Sequence, residues 1–400
     1  MNIAFVVGPF PKLSETFILN QITGLLDMGH KVEIFAVSNP NEEVVNEDVI
    51  RYNLMDHVHY SPKYNTITPK EIKSLFFNFF KDWNKICKAL NVFKYGRSSI
   101  RLLFTVSEII GNDYDFDIIH CHFGPNGIFG TYLEDVGIEG KYITTFHGFD
   151  VNVYPKRKGE NVYQELFEKG NYFTCNTTFT KKRLIGLGCK ESKIVVLPVG
   201  LKVEFFTPKK IDYKNKPLQI LTVARLVEEK GHKYAINAIA KLIKIHPNIL
   251  YLIVGDGPLK RELENLVSRL GINKNVIFYG AANHSKVLNL YIDSDIFLLP
   301  SVISKDGAQE AQGLVLQEAQ AMGLPLVSTN IGGIPEGINN KSGFIVPEKD
   351  INALMEKLEY LIRNPEIWPE MGAEGRKFVK NRYDMRKLNK QLLDVYESAL

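Results

Sequence analysis

Two glutamates separated by seven residues are the clearest candidates for chemistry in this sequence. Glu310 and Glu318 lie on either side of Gly313 in the stretch SVISKDGAQEAQGLVLQE. Carboxylate oxygens accept hydrogen bonds, so two of them suit a ligand rich in hydroxyl groups, such as a sugar or a ribose. The same spacing also fits an ordinary loop followed by a helix carboxylate in solvent. The choice between these depends on the elements that carry the two side chains.

The elements around these glutamates are predicted to be a strand and a helix. The run Asp295–Pro300 is apolar and closes on a proline, which indicates a buried strand. The stretch after Gly313 has the pattern of a helix that ends at Gly323. Glu310 therefore falls in a loop at the carboxyl end of a strand, and Glu318 lies about one and a half turns into the helix. In an open α/β sheet that edge binds ligands.

A loop with two cations precedes this stretch. Arg225 and Lys230 lie between a predicted strand, Leu218–Ala224, and a predicted helix, Tyr234–Ile245. Two cations beside a helix N-terminus form an anion site that suits a diphosphate. The alternative is a pair of solvated charges neutralised by the two glutamates at 228–229.

Polar residues also follow predicted strands in the first half of the chain. Ser14 is a suitable N-cap for the helix after the strand Asn2–Val7, and Glu15 falls in its first turn. His122 and His147 end two further β-rich runs. These side chains are expected to line the ligand-binding edge, although plain structural turns fit the same pattern.

Two details of the histidine segments leave alternatives open. His120 and His122 alternate to one face of their strand, which could suggest a metal, but no third ligand follows at a useful spacing. Asp150, three residues after His147, could orient that ring or cap the following segment.

The overall composition indicates a globular protein of two or three domains. The chain has 400 residues, of which 45% are hydrophobic and 24% charged, and its net charge of +4 argues against a dedicated nucleic-acid binder. Four cysteines without a C-x-x-C pair indicate reduced thiols in a cytosolic protein. The N-terminus lacks the basic start of a signal peptide, and no apolar run approaches the about 20 residues that span a bilayer. A polar stretch at 207–217 is the predicted linker.

One predicted helix, 68–86, combines aromatic residues with lysines. Thr68 and Glu71 form a capping box, and apolar residues recur at steps of three and four: Ile72, Leu75, Phe76, Phe79, Phe80, Trp83 and Ile86. Cations surround this stripe at Lys63, Lys70, Lys73, Lys81, Lys85, Lys88, Lys94, Arg97 and Arg101. The pattern fits a helix on a membrane surface, and it also fits an amphipathic helix packed on the sheet with its lysines in water.

Five motifs in order resemble glycosyltransferase family 4, a family of retaining sugar transferases. They are TFHGFD at 145–150, VARLVEEKG at 223–231, VGDGPL at 254–259, DIFLLPS at 295–301 and the two spaced glutamates. The segment FPKLSETF at 10–17 resembles the subgroup that builds exopolysaccharides of the colanic-acid type. The resemblance implies an α/β chain with two Rossmann-like domains, whose parallel sheets face each other across a deep cleft in the type B fold. It places the first domain at 1–200, the second at 201–383, and a final helix at about 384–400 that crosses back to the first domain.

The resemblance also implies roles for individual residues. Arg225 and Lys230 would hold the donor diphosphate and stabilise the leaving group, so neither a metal nor a cofactor is expected. Glu310 would face the donor sugar, Glu318 would bind the ribose, and His147 would lie near the reacting carbon. The remaining donor-binding positions are Gly255, Gln312, Gly313 and Leu314, and the acceptor-side positions are Ser14, Glu15, His122 and Asp150. The family often has glycine where this chain has Ala311, which is followed by Gln312. Gln312 could contact a sugar hydroxyl, and the identity of the donor sugar therefore stays open.

The expected activity is retaining transfer of a hexose from a nucleoside-diphosphate sugar to a saccharide. The acceptor is expected to be a lipid-linked oligosaccharide of exopolysaccharide or surface-polysaccharide synthesis. The protein is expected in the cytoplasm, with peripheral membrane contact through 68–101 and no nucleic-acid partner. The sequence leaves three alternatives: a sugar phosphorylase, a nucleotide-sugar epimerase, and a non-catalytic subunit that binds sugar nucleotides.

Overall fold

Two runs of alternating strands and helices form two separate parallel sheets. The computed structural model describes residues 1–12, 15–42, 45–62, 67–208 and 217–400. Its contacts divide the chain into unit 1, which comprises Met1–Asn176, Lys181–Leu197 and Arg386–Leu400, and unit 2, which comprises Thr177–Thr180 and Pro198–Met385. Most of the predicted linker at 207–217 lies outside the described residues.

Unit 1 is built on a parallel sheet of seven strands. The strands are β1 Asn2–Pro9, β2 Lys31–Ser38, β3 Val58–Tyr60, β4 Ile118–His122, β5 Lys141–Phe146, β6 Tyr172–Cys175 and β7 Ile194–Val196. Their order is β3-β2-β1-β4-β5-β6-β7, so the winding changes direction between β1 and β4. Residues 3–7 of β1 and all residues of β4 are buried, as expected for strands covered by helices on both faces. The carboxyl ends of β1 and β4 therefore flank the edge where ligands bind in such sheets.

The helices of unit 1 begin after the strand ends and cover the sheet. They are α1 Thr16–Asp27, α2 Glu47–Arg51, α3 Pro69–Lys81, α4 Trp83–Ala89, α5 Val92–Tyr95, α6 Ser98–Gly111, α7 Gly124–Val136, α8 Phe149–Asn152, α9 Tyr154–Lys158, α10 Gln164–Lys169 and α11 Thr178–Gly186. The first three residues of α11 belong to unit 2.

The predicted aromatic helix at 68–86 is two helices in the structure. Thr68 is the N-cap of α3 and forms the predicted capping box. Its hydroxyl oxygen accepts the N–H of Glu71, and the Glu71 carboxylate accepts the N–H of Thr68. The helix stops at Asp82, whose carboxylate instead accepts the N–H of Lys85 and caps α4. The N-cap preference of an aspartate therefore breaks the continuous apolar pattern into two segments.

Unit 2 is built on a parallel sheet of six strands. The strands are β8 Leu218–Val223, β9 Ile249–Val254, β10 Val276–Gly280, β11 Ile296–Leu299, β12 Leu326–Thr329 and β13 Gly343–Val346, in the order β10-β9-β8-β11-β12-β13. The helices are α12 His232–Ile243, α13 Lys260–Leu270, α14 His284–Asp293, α15 Leu314–Ala321, α16 Ile334–Gly337, α17 Ile351–Arg363 and α18 Trp368–Arg382. Here the winding changes direction between β8 and β11. The two sheets confirm the predicted α/β class with two Rossmann-like domains.

The last helix, α19 Met385–Ala399, returns to unit 1 apart from its first residue. Leu392 and Tyr396 are fully buried in the core of unit 1. Asn389 donates a hydrogen bond to the carbonyl oxygen of Asn20 at 3.1 Å. These contacts confirm the expectation that the end of the chain packs on the first domain. Across the described ranges, no helix combines the length and apolarity that a bilayer span requires.

Candidate active site

A cation and a carboxylate meet at the point where the sheet of unit 2 changes direction. Lys230 lies in the loop after β8, and Glu310 lies in the loop after β11. Because β8 and β11 are parallel neighbours, their carboxyl ends lie side by side. The ammonium group of Lys230 bonds directly to the carboxylate of Glu310. Both side chains are mostly buried, so the loops bring two of the predicted site residues into one ion pair.

Close backbone packing fixes the loop that carries Lys230. Gly231 has a φ of 69°, and a Cβ there would overlap the carbonyl oxygen of Pro300. In the same contact the N–H of Val302 donates to the carbonyl oxygen of Glu229 at 2.9 Å. Only glycine permits both the left-handed conformation and this approach. The loop after β8 is therefore held against the segment that follows β11.

The loop with Glu310 is held in the same way by residues after β12. The N–H of Gly333 donates to the carbonyl oxygen of Glu310 at 3.0 Å, and a Cβ at Gly333 would overlap the carbonyl oxygen of Ala311. The hydroxyl of Thr177 donates to that same Ala311 oxygen at 3.0 Å. The Thr177 contact had no signal in the sequence.

The second predicted cation, Arg225, is more exposed than Lys230. Its side chain is 70% exposed and lies 3.3 Å from the carboxylate of Glu229. The predicted neutralisation by a neighbouring glutamate is therefore present, but it is a contact in solvent and leaves the guanidinium accessible.

Sequence reasoning missed His232, which holds the loop after β8 through a hydrogen bond to its backbone. His232 is buried at the start of α12, and its Nε2 lies 2.9 Å from the carbonyl oxygen of Arg225. Burial lowers the pKa of His232 to about 4, against the raising effect of this hydrogen bond. The ring is therefore neutral at physiological pH, and Nε2 must carry the proton because a carbonyl oxygen only accepts. The only signal in the sequence is its place directly after Lys230 and Gly231.

Glu318 lies in the second turn of α15 and accepts a hydrogen bond from the hydroxyl of Tyr291 at 2.9 Å. Burial raises the pKa of Glu318 to about 7, although the Tyr291 bond opposes that rise. The carboxyl group therefore changes charge near neutral pH. Sequence reasoning missed Tyr291, which belongs to a different helix, α14.

The other predicted donor-side positions have different surroundings. Gly313 precedes α15 with a φ of 77°, and no side chain caps the helix at Leu314. That leaves the first N–H groups of α15 available to an anion. Gly255 follows β9, and its N–H donates to the carbonyl oxygen of Gly280 at 2.8 Å.

Gln312 has a partner that the sequence could not reveal. Its carboxamide exchanges two hydrogen bonds of 2.8 Å with the N–H and the carbonyl oxygen of Val199. The side chain is buried and also lies within 3.2 Å of Gln317. The expectation that Gln312 contacts a sugar hydroxyl is therefore corrected: its polar atoms are used to hold the loop.

In unit 1, two predicted histidines are brought together at the ends of β4 and β5. His122 Nδ1 lies 3.0 Å from His147 Nε2, and the rings stack with an interplanar angle of 15°. The rings of Phe17 and Phe123 each lie 4.5 Å from His147. Burial lowers the pKa of His147 to about 3 and moves the pKa of His122 well below its usual value. Both rings are therefore neutral.

The predicted acceptor-side residues act as supports in this structure. His122 and Asp150 are completely buried, so they support the predicted acceptor side of the site without lining its surface. Asp150 accepts N–H groups of the backbone at His147, Gly148 and Gly124, so it holds the strand end and not the imidazole ring. Burial raises the pKa of Asp150 to about 6, although these N–H bonds oppose the rise.

The remaining positions at the start of α1 give less information. Glu15 pairs with Lys12 at 2.6 Å. The N-cap position of α1 is Glu15, one residue later than predicted, so Glu15 does not lie in the first turn, and no side chain caps the helix. Ser14 lies outside the described residues.

The pairing of His120 with His122 does not form a metal centre in the part of the chain that the structure describes. The ring nitrogens of His120 lie 2.6 Å from the hydroxyls of Tyr396 and Thr145. Among the described residues no group of three or more histidine, cysteine, aspartate or glutamate side chains has a geometry that could hold a metal ion. His120 instead ties β4 to α19.

Comparison with known proteins gives a consistent relationship over the whole chain. The family description Glycosyltransferase Family 4 matches residues 14–205, and Glycosyl transferases group 1 matches residues 204–378. WcaL of Escherichia coli strain K12, named for colanic acid biosynthesis, is 32% identical over 409 residues and covers 100% of both chains. The amylovoran biosynthesis glycosyltransferase AmsK of Erwinia amylovora is 31% identical over 418 residues and covers 99% of both.

A solved structure shares the arrangement of two parallel-sheet units. Alr3699/HepE of Anabaena, solved in complex with UDP, has a TM-score of 0.71 and covers 100% of both chains at 15% identity. At that identity the likeness concerns the fold alone. The family relationship rests on the full-length relatives and the two matching descriptions, and on that basis this chain belongs to glycosyltransferase family 4.

Proposed function

We propose that this protein transfers a sugar from a nucleoside-diphosphate sugar to a saccharide acceptor, with retention of configuration and without a metal. The observation that carries the proposal is the pair of Lys230 and Glu310 at the point where the sheet of unit 2 changes direction. This edge of the sheet offers a cation for phosphate and a carboxylate for hydroxyl groups within one site.

The donor is proposed to bind unit 2. Its diphosphate binds Lys230 and Arg225, and the uncapped start of α15 at Leu314 adds backbone N–H groups. The ribose binds the carboxylate of Glu318, and hydroxyls of the transferred sugar bind Glu310. The complex of Alr3699/HepE with UDP, a protein of the same fold, supports a nucleotide ligand.

The chemical step is proposed to depend on stabilisation of the leaving group. The bond between the anomeric carbon and the diphosphate oxygen breaks, and negative charge develops on the departing phosphate. Lys230 and Arg225 stabilise that charge, which is the reason for proposing a reaction without a metal. The acceptor hydroxyl forms the new bond to the anomeric carbon, and its proton passes to the departing phosphate. Retention of configuration is what the family resemblance implies.

The acceptor is proposed to bind unit 1, at the edge formed by the ends of β4 and β5. His147 is the proposed contact to the sugars, because it is half-buried while His122 and Asp150 beneath it are fully buried. The names of WcaL and AmsK refer to polysaccharide biosynthesis, which supports a saccharide acceptor. We propose that this acceptor is linked to a lipid and that transfer occurs at the cytoplasmic face of a membrane.

A transfer assay with defined substrates tests the proposal. The protein is incubated with a panel of nucleoside-diphosphate sugars and lipid-linked saccharides, with and without a chelator. We expect one donor to release its nucleoside diphosphate only when an acceptor is present, at the same rate in chelator. Mass spectrometry should show one added sugar, and NMR should show the anomeric configuration of the donor.

Other results of the same assay point to the alternatives. Formation of a sugar 1-phosphate from saccharide and inorganic phosphate, without nucleotide, would identify a phosphorylase. Conversion of the donor to its epimer without acceptor would identify an epimerase. Tight donor binding without turnover on any acceptor would indicate a non-catalytic subunit.

A further inference from the structure

Helix α3 is packed with its polar face inward and its aromatic face outward. Its buried residue is Asn78, whose amide donates to the carbonyl oxygen and the hydroxyl oxygen of Ser107 on α6 at 2.8 and 3.0 Å. On the opposite face the side chains of Phe76 and Phe80 are 61% and 71% exposed. A surface helix normally buries its apolar stripe and exposes its polar face, so this orientation is reversed.

The exposed stripe is a single aromatic surface, which comprises Ile72, Phe76, Phe79, Phe80 and Trp83. These residues recur at steps of three and four, so those of α3 share one helix face. The rings of Phe76 and Phe80 lie 5.1 Å apart, and those of Phe79 and Phe80 lie 5.7 Å apart. Trp83 at the start of α4 is 64% exposed. Aromatic rings of this size are seldom left in water together, and a contiguous apolar patch marks an interaction site.

The segment that carries the aromatic surface is strongly positive. Residues 69–97 hold seven lysines and arginines against two acidic residues, whereas the net charge of the whole 400-residue chain is only +4. Lys81 pairs with Asp113, and Lys85 pairs with Asp82. Lys73, Lys88 and Arg97 form no ion pair among the described residues and are exposed. These three cations are therefore available to an external anion.

We propose that the aromatic surface inserts into the interfacial layer of a membrane that contains anionic lipid, while Lys73, Lys88 and Arg97 contact the lipid phosphates. The inference rests on the proposed function, because a lipid-linked acceptor lies in such a membrane. In an anionic membrane, aromatic rings bury at the boundary between the acyl chains and the headgroups. Neighbouring cations bind the negatively charged headgroups. A net charge of this size in 29 residues favours that occupant over an apolar protein partner.

The reversed orientation of α3 also supports this partner. Asn78 and Ser107 fix the helix on α6 through its polar side, so the aromatic side is held outward by the fold itself. The surface is therefore preformed and needs no rearrangement before it meets a bilayer.

Vesicle flotation tests the proposal directly. Wild-type protein is mixed with vesicles of phosphatidylcholine alone or with about 30% phosphatidylglycerol. Two variants are compared: F76S/F80S/W83S, which removes the rings, and K73E/K88E, which reverses two free charges. F205S/I245S and K274E/K286E are the matched controls, because these apolar and basic side chains are exposed in unit 2. All proteins are first checked for an unchanged thermal midpoint, which we expect because the altered side chains are exposed.

We expect wild-type protein and both controls to float with the anionic vesicles and to float less with phosphatidylcholine alone. The ring variant should lose most of its binding, and each cation removed should lower partitioning about fivefold. Binding of a nucleoside diphosphate should be the same in all five proteins.

Three results would overturn the proposal. They are equal flotation of the ring variant and wild type, no flotation of wild type with anionic vesicles, and a stable dimer of wild type that the ring variant abolishes. If wild-type protein binds vesicles but transfers no sugar, the proposed function is contradicted. The proposal that the aromatic surface binds membranes is not contradicted by that result.

Discussion

Lys230 and Glu310 are bonded to each other through their charged groups although 80 residues separate them in the chain. Their side chains are only 17% and 14% exposed, so each charge depends on the other for its compensation. In the proposed binding mode, a diphosphate replaces Glu310 as the partner of the Lys230 ammonium group. Glu310 is then released to accept hydrogen bonds from the sugar. Donor binding in this mode exchanges one ion pair for two contacts to the ligand.

Replacing Glu310 with glutamine should separate nucleotide binding from sugar transfer. Without the competing carboxylate, a nucleoside diphosphate lacking a sugar should bind E310Q at least as tightly as wild type. Transfer should fall about 100-fold, because the contact to the donor sugar is lost. Calorimetry gives the affinity and a product assay gives the rate, with E264Q on the exposed face of α13 as the control. Weaker nucleotide binding together with an unchanged transfer rate would be the opposite of this expectation.

His232 is expected to act as a positioning residue for the phosphate-binding loop. H232F removes the donor to the carbonyl oxygen of Arg225 and should lower kcat/KM about tenfold, the equivalent of one hydrogen bond. H232Q keeps an amide N–H for the same oxygen and should restore most of the lost kcat/KM. A purely structural histidine would give two variants with equal activity and different thermal midpoints, and that result would rule out the positioning role.

Donor affinity should depend on pH through Glu318. Burial raises the pKa of this carboxyl group to about 7, so it is largely protonated below that pH and ionised above it. The ionised form offers two charged acceptor oxygens to the ribose hydroxyls in the proposed complex, whereas protonation turns one of these oxygens into a donor. Lowering the pH from about 8 to about 6 should therefore weaken donor binding about tenfold. The ligand is the intact nucleoside-diphosphate sugar, whose phosphates do not titrate in this range. The same pH dependence in E318Q would assign it to another group.

Unit 1 should lose stability at high pH because of His59. Burial lowers the pKa of His59, but hydrogen bonds to Glu108 and Glu33 outweigh it and raise the pKa to about 9. A histidine whose pKa is higher in the folded state stabilises the fold fully below its unfolded value of 6.5, and that contribution is lost as the pH rises through about 9.

The contribution to the free energy of unfolding should be about 3 kcal/mol between about pH 6.5 and pH 9.5. Its loss should appear as a fall in the thermal midpoint over that range. H59Q should show a smaller fall over the same range. Parallel curves for the two proteins would show that His59 carries no such charge.

The strands of both units could be predicted from the sequence because their apolar runs are long and end at turns. The predicted strands Asn2–Val7 and Leu218–Ala224 are strands at Asn2–Pro9 and Leu218–Val223 in the structure. The strand Val58–Tyr60 could not be found, because three residues with a central histidine form no apolar run. Parallel sheets also fix which strand ends meet, so the edge that holds Lys230 and Glu310 was predictable.

The contacts within the site were less accessible to sequence reasoning. The spacing of Glu310 and Glu318 predicts a shared loop and helix, but it cannot show that Glu310 pairs with Lys230 or that Tyr291 bonds to Glu318. The periodicity of 68–86 predicts an amphipathic helix, but not which face packs inward. That choice depends on Asn78 meeting Ser107, a contact across 29 residues. Pairings between distant elements are decided by tertiary packing, which a local pattern does not contain.

The central claim is that Lys230 and Glu310 form the site of a nucleoside-diphosphate sugar, and its most direct test is calorimetric titration of wild type, K230A and K233A with a panel of such sugars. Lys233 is an exposed lysine one turn away on α12 and serves as the matched control. We predict that one sugar nucleotide binds wild type and K233A with equal affinity and binds K230A about 10- to 100-fold more weakly, the loss expected for a charged hydrogen bond. Equal affinity for K230A and wild type, or no binding of any sugar nucleotide to wild type, would contradict the claim.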